Sequence, residues 1–445
     1  MSSKGMQVGL LLFGMFFGAG NLIFPPSLGF QSGDAFWPAI FGFIITGVGI
    51  AILALIVGTL NPGGYRAEMD KKIHPLFSLI FLIAIYLSVG PFFAIPRTAA
   101  TSFSVGIEAY TGSGTMPLLI FTFLYFAAAL WIALNPNKIL TSIGKILTPI
   151  FAVMIIALFV CGFFVYNQVT VPQGIGAYHI EPFGSGFIEG YNTVDAIAAF
   201  AFCIIAMNTL HQLKFTSQQE YLKSVWAAGV VTAIGFSFLY LGLAWLGNHF
   251  PIPADVYTNP DTNLGVYVLT QASYQLFGAA GQAFLAVMVV ITCFTTGAGL
   301  IVATSQFFAQ EFPSVSYKKW ACLFSLVSFV LSNQGLNQVI KTSLPVLLQI
   351  YPMAIVIVMI IVVNKFLALS KPGIQLTMFV TFVIALMDVA KNFLGMEEMA
   401  SLLQLLPFAD SGCAWFVPAV IGIVISYFLP QKLEPEHYDF TKDIQ

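Results

Sequence analysis

The segment FGMFFGAGNLIFPP (residues 13 to 26) sets three glycines, Gly14, Gly18 and Gly20, together with Asn21 and the pair Pro25 and Pro26 inside an apolar run. Glycine weakens a helix by up to about 1 kcal/mol per site, and proline removes a donor from its hydrogen-bond ladder. The spacing predicts a helix unwound near its middle. If that middle lies in a bilayer, the freed amides and carbonyls must be satisfied by a bound molecule or by neighbouring protein. Gly14 and Gly18 alone also fit a small-xxx-small contact with another helix. A second stretch, GYNTVDAIAAFAF (residues 190 to 202), puts Asn192, Thr193 and the carboxylate of Asp195 ahead of a run of small residues. A carboxylate in an apolar span is rare and usually functional, in binding, gating or proton coupling; a structural cap is the alternative.

The elements that carry these groups follow from composition. Of 445 residues 58% are hydrophobic and only 8% charged, where a soluble domain carries about 25% charged residues. Residues 5 to 33, 35 to 65, 109 to 137, 224 to 248, 262 to 310 and 342 to 364 contain no Asp, Glu, Lys or Arg, and a membrane span needs about 20 apolar residues. Runs such as IFAVMIIALFVCGFF (150 to 164) do not alternate, which excludes a membrane β-barrel. The apolar run after Lys4 reads as a retained first helix rather than a cleaved signal. Five cysteines, none in a CxxC pair, argue against a disulfide framework or zinc site, and a net charge of -2 against nucleic-acid binding. No HExxH, GxSxG or P-loop motif points to an enzyme.

Charged and Pro/Gly/Asn interruptions delimit twelve helices, near 7–31, 35–60, 75–108, 117–134, 139–165, 188–211, 221–247, 279–310, 317–333, 340–364, 372–394 and 407–429. The third is too long for one untilted span and carries Pro91, Pro96 and Arg97, so it is steeply tilted or broken. The loop at 248–278 has room for a short surface helix. With the N-terminus inside, fourteen of the 17 Lys and Arg fall on the cytoplasmic side, leaving Arg97, Lys341 and Lys391. Such a bias fixes orientation and the parity of the helix count, with both termini cytoplasmic. Helices one and six are then interrupted in opposite orientations, the signature of a secondary transporter built from inverted repeats. The expected division is residues 1–165 as a first five-helix repeat, 166–364 as a second, inverted one, and 365–445 as two further helices and a tail.

FGMFFGAGNLIFPP, YRAEMDKKIHP (65 to 75), GPFFAIPRTA (90 to 99) and YNTVDAIAA (191 to 199) resemble segments of the branched-chain amino acid:cation symporter family, of BrnQ type, over essentially the whole chain. That family is similar to the superfamily with the leucine-transporter fold. The resemblance implies an all-α protein of the bacterial inner membrane, in contact with lipid, that takes up leucine, isoleucine and valine with Na+ or H+ by alternating access and uses no organic cofactor. It implies a sodium site of Gly14 and Phe17 carbonyls with Thr292, Thr295 and Thr296, whose offsets of three and four share a helix face. Back-bonding of those threonines to the preceding turn is the alternative. This sequence ends the threonine motif in Thr-Thr where the superfamily most often has Thr-Ser. A substrate carboxylate would meet amides around Ala19, Gly20 and Asn21, and its ammonium would meet groups of Tyr191, Asn192 and Asp195. Phe92, Phe93 or Phe200 would line the apolar pocket, and Arg97 would sit at an outer gate or snorkel at the interface. A proton-coupled carrier, a carrier of another solute and an intramembrane enzyme are the alternatives; oligomeric state is not encoded in any motif here.

Overall fold

In the computed structural model the long apolar runs are helices, and among the described residues there is no strand. The structure describes residues 3–61, 63–135, 139–213, 215 and 217–435. Lys138, Lys214 and Lys442 of the basic loop set, and residues 436–445 of the tail, lie outside the described residues. The principal helices are α1 (Ser3–Phe16), α2 (Ala19–Ser32), α3 (Phe36–Ile44), α4 (Ala51–Thr59), α5 (Gly64–Lys72), α6 (Pro75–Leu87), α7 (Ala94–Gly106), α8 (Thr115–Leu134) and α9 (Ile139–Tyr166). They continue with α10 (Pro182–Glu189), α11 (Asp195–Gln212), α12 (Gln218–His249), α13 (Leu264–Glu311), α14 (Tyr317–Ser332), α15 (Leu336–Asn364), α16 (Lys371–Leu394) and α17 (Phe416–Phe428). Among the described residues seven helical stretches are long and apolar enough to cross a bilayer, and an eighth if the pair meeting at 41° between Thr193 and Asp195 is one span.

The interruption expected in helix one lies between α1 and α2, at Phe17 and Gly18. Gly18 is extended (φ -129°, ψ -171°), and its amide donates to Asn21 Oδ1 at 3.0 Å. An unbroken helix would send that amide to the Gly14 carbonyl; here Asn21 takes it as a cap. Pro25 and Pro26 do not end α2 but lie inside it, six and seven residues after its start at Ala19. In helix six a single 3-10 turn, Gly190–Thr193, leads to Val194 at φ 68°. A β-branched residue in the left-handed region is strained, and such strain persists only where the surroundings impose it.

The third segment is broken rather than merely tilted. α6 ends in a π-helical turn, Ser88–Phe92, in which Gly90 leaves helical geometry (φ -96°, ψ -126°), before α7 begins at Ala94. Another difference is α13, which starts at Leu264 and not near 279. Asn263 caps it by accepting from the Val266 amide at 3.1 Å, and it bends at Gly278 (φ 66°), where only glycine is comfortable. The last predicted helix is shortened to α17, because residues 404–415 form turns around Pro407 and Gly412.

Both halves of helix one lie against α12. The Gly9 carbonyl of α1 accepts from Thr232 Oγ1 at 3.0 Å. On α2, a β-carbon at Gly29 would strike the Ala244 carbonyl, and one at Gly247 of α12 would strike the Pro26 carbonyl. Backbones touch there, as small residues allow in membrane helices.

Candidate functional site

The two breaks face one another, with residues from both sharing one cavity and a side-chain hydrogen bond. α2 begins with the amides of Ala19, Gly20 and Asn21, which as first-turn groups have no partner within the helix. Across from them α11 begins at Asp195, a position where the helix dipole favours a negative charge. Asn21 Nδ2 donates to Asp195 Oδ2 at 2.7 Å and also contacts the Tyr240 hydroxyl, which itself donates to the same oxygen at 2.8 Å. All three side chains are buried. Two neutral donors, from α2 and α12, thus hold one carboxylate oxygen of helix six.

Arg97, in the first turns of α7, completes this arrangement. Its Nη1 donates to the Asn192 carbonyl at 2.6 Å and its Nη2 to the Thr193 carbonyl at 3.4 Å, the groups released by the 3-10 turn. Its guanidinium carbon lies 5.3 Å from the centre of the Phe24 ring, within cation–π range. Only 3% of Arg97 is exposed, and among the described residues no carboxylate lies within 4.0 Å of it. Breaks and charges together border a cavity of about 40 Å³, lined by Gly18, Ala19, Gly20, Asn21, Arg97, Thr98, Thr193, Val194, Asp195 and Thr296 with the apolar groups Phe16, Val89, Ala94, Ala198, Phe202 and Leu300. A single water needs roughly 10–15 Å³ measured in this way, so there is room for a small polar group and little more.

Of the expected substrate residues, Ala19, Gly20, Asn21 and Asp195 meet at this cavity. Tyr191 does not: it is fully buried and stacks on Tyr351 at 4.3 Å between ring centres. The Asn192 side chain turns to Glu189 Oε2 at 3.3 Å, and the residue meets the site only through its carbonyl, which accepts from Arg97. Phe92 is 42% exposed, Phe93 does not border the cavity, and Phe200 stacks on Tyr65. The apolar lining comes instead from α1, the π-helical turn after α6, α7, α11 and α13. Arg97, read in the sequence as an outer-gate or interfacial residue, is central. Of the expected sodium ligands, Thr296 Oγ1 donates to the Phe17 carbonyl at 3.2 Å, beside the helix-one break. Thr295 Oγ1 bonds instead to the Thr292 carbonyl at 2.9 Å, the back-bonded geometry. Gly14 and Thr292 are each half-buried. Among the described residues no cluster of His, Cys, Asp and Glu could hold a metal by side chains alone.

Known proteins resemble this chain in sequence and in fold. The chain is 40% identical over 436 residues to a protein of Staphylococcus aureus strain USA300 and over 437 residues to one of strain MRSA252, both bearing the name branched-chain amino acid carrier protein; 96% of this chain and 97% of each relative are covered. Among solved structures it is similar to a nucleobase-cation-symport-1 family transporter in a closed conformation with bromovinylhydantoin bound (TM-score 0.59, 15% identity, 99% of this chain and 95% of that one). It is similar also to MhsT in complex with L-phenylalanine (TM-score 0.56, 14% identity, 95% and 98%) and to a Na+-coupled sialic acid symporter (TM-score 0.58, 13% identity, 97% and 91%). The fold is therefore the leucine-transporter fold, and the chain is a membrane transporter rather than an enzyme. Residues 1–433 match the family described as branched-chain amino acid transport protein, and the chain belongs to that family.

Proposed function

We propose that this carrier imports leucine, isoleucine and valine by symport with Na+ through alternating access across the bacterial inner membrane. The observation that carries the reading is the meeting of both mid-span breaks, with Asn21 and Asp195, at one buried cavity. A substrate carboxylate would accept from the Ala19 and Gly20 amides, which face the site at the positive end of α2. Its ammonium would lie against Asp195 and the helix-six carbonyls. The branched side chain would displace apolar contacts among Phe16, Val89, Phe202 and Leu300, so the cavity must widen as substrate enters. Beside it, the Phe17 carbonyl and Thr296 Oγ1 supply neutral oxygens of the kind a hard monovalent cation prefers. The Gly14 carbonyl, whose usual amide partner has turned to Asn21, is a third. Thr292 and Thr295 would join them only by releasing the bond at 2.9 Å between them.

Twelve spans arranged as 1–165, 166–364 and 365–445, with the two five-helix units inverted and both termini cytoplasmic, complete the proposal. A second reading rests on Asp195: a buried carboxylate held by neutral donors can take up and release a proton, which would make H+ the coupling ion. Uptake of leucine into proteoliposomes, with sodium and pH gradients imposed separately, decides between the two. Concentrative uptake driven by a sodium gradient at equal pH is expected; uptake that follows only the pH gradient in sodium-free buffer overturns the sodium reading. No concentrative uptake of any branched-chain amino acid would overturn the substrate reading.

A further inference from the structure

We propose that Arg97 makes the site demand a carboxylate on its substrate, by requiring a buried cation to be re-paired whenever an ammonium group enters. This rests on the substrate reading above. The argument begins with what Arg97 holds. Its Nη1 and Nη2 donate to the carbonyls of Asn192 and Thr193, at 2.6 and 3.4 Å, at the helix-six break beside the cavity that Arg97 and Thr193 line. An ammonium group that lies against helix six brings a second positive charge onto the same two carbonyls, so it must share them with the guanidinium against charge repulsion or displace it. Arg97 Nε is buried and has no hydrogen-bond partner, so the side chain has a donor edge uncommitted even before that exchange.

Nothing else nearby can receive the displaced charge. No carboxylate among the described residues lies within 4.0 Å of Arg97. Asp195 borders the same cavity, but its Oδ2 is already held by Asn21 and Tyr240 at 2.7 and 2.8 Å, and an entering ammonium group competes for what is left. A guanidinium stripped of its carbonyls in a dry cavity is strongly unfavourable unless an anion replaces them. The α-carboxylate of an amino acid can be that anion, through the planar pairing that arginine makes with carboxylates. It would sit between the α2 amides and Arg97, which are close neighbours: a β-carbon placed on Gly20 would lie 3.0 Å from Arg97 Nη2. Loading is then an exchange in which the ammonium takes the helix-six carbonyls and the carboxylate takes Arg97. A simple amine offers half of the exchange and is rejected because it would leave an unpaired charge behind, which is discrimination by penalty rather than by added attraction.

The probes are L-leucine and 3-methylbutylamine, which share side chain and ammonium group and differ in the carboxylate. Dissociation constants are measured on the purified carrier in saturating sodium. Wild-type protein should bind the amine at least a hundredfold more weakly than leucine. In Arg97→Met the ratio of the two constants should fall by tenfold or more, because the amine no longer strands a cation. Arg97→Lys, which keeps a charge, should hold the ratio nearer to wild type. A ratio that moves by less than tenfold in Arg97→Met, or a lysine variant as permissive as the methionine one, overturns the proposal, since a purely structural role would weaken both ligands alike. Should Arg97→Met fail to fold, as judged by monodisperse elution, wild-type protein serves: acetate, supplying the missing anion, should strengthen amine binding by tenfold or more, and no such effect overturns the proposal. Failure of wild-type protein to bind leucine would count against the substrate reading itself and is distinguishable from either result.

Discussion

Asp195 and the two side chains that hold it form a unit in which each member constrains the others. Tyr240 donates to Asp195 Oδ2 from α12, and Asn21 donates to it from the first turn of α2. A hydrogen bond to a charged group contributes about 1.5–3 kcal/mol. Tyr240→Phe should therefore raise the leucine dissociation constant about tenfold or more by freeing the carboxylate to turn, and equilibrium binding of labelled leucine measures it; an unchanged constant would separate Asp195 orientation from substrate affinity. At Gly20 space decides the outcome, because a β-carbon would lie 3.0 Å from Arg97 Nη2 and 3.2 Å from the Asn192 carbonyl. Gly20→Leu should abolish binding while the protein still inserts in the membrane, and normal uptake by that variant would remove helix one from the site. Asn21 and Asp195 were legible in the sequence because a polar group in an apolar run stands out. Tyr240 was not: a lone tyrosine in FSFLYLGLAW looks like packing until the fold sets it against α2 and α11. Arg97 was visible, but its depth was not, since the break at Gly90 that carries it inward has no counterpart in charge patterning.

Among elements, the contact between the helix-one break and α13 separates two threonines that look equivalent in sequence. Thr296 faces the Phe17 carbonyl at 3.2 Å, whereas Thr295 bonds to its own preceding turn. Thr296→Ala should raise the sodium concentration for half-maximal leucine uptake by about fivefold or more, the value of one oxygen ligand at roughly 1 kcal/mol. Thr295→Ala should change it by less than about threefold; equal effects of the two would show that Thr295 releases its backbone bond to bind the ion. Helical spacing placed both on one face, and only the break geometry tells them apart. The breaks in helices one and six were readable from glycine and polar residues. The early start of α13 was not, because Leu264 to Phe277 carries too many polar residues to pass as a span and yet is helical, capped by Asn263 and bent at Gly278. Close backbone contact yields a further expectation. Any side chain at Gly247 meets the Pro26 carbonyl, and overpacking typically costs 1–3 kcal/mol. Gly247→Val should lower the melting temperature of the detergent-solubilised carrier by several degrees; an unaltered melting curve would mean that α2 and α12 can separate without penalty.

For the whole molecule, the distribution of Lys and Arg gives an orientation that can be tested directly. Asn167 and Asp255 are exposed in connections that contain no Lys or Arg. Single cysteines at either position, in a background lacking Cys161, Cys203, Cys293, Cys322 and Cys413, should react from outside intact cells with an impermeant thiol reagent. Protection of both would invert or shift the topology. Composition sufficed to reveal a polytopic helical membrane protein, since no soluble surface can be made with 8% charged residues. It could not show that the broken helices converge on one cavity, because that depends on contacts between residues far apart in the chain, such as Asn21 with Asp195 and Arg97 with Asn192.

The interruption at Phe17 and Gly18 looks like a free joint, yet α12 runs along both sides of it. It is bonded to the Gly9 carbonyl on one side and in backbone contact with Gly29 and Pro26 on the other. A rigid rod fastened across a fracture is a splint. The two halves of helix one can lose their mutual hydrogen bonds without losing their alignment, and neither can swing alone without parting from α12. On the alternating-access reading, opening to either side would carry α1, α2 and α12 together, along with the first half of α13, where a β-carbon at Gly265 would strike the Ile23 carbonyl, pivoting against the helix that holds Arg97. Spin labels on the cytoplasmic ends of α1 and α12 should keep a constant separation through the transport cycle while the distance from each to α14 changes.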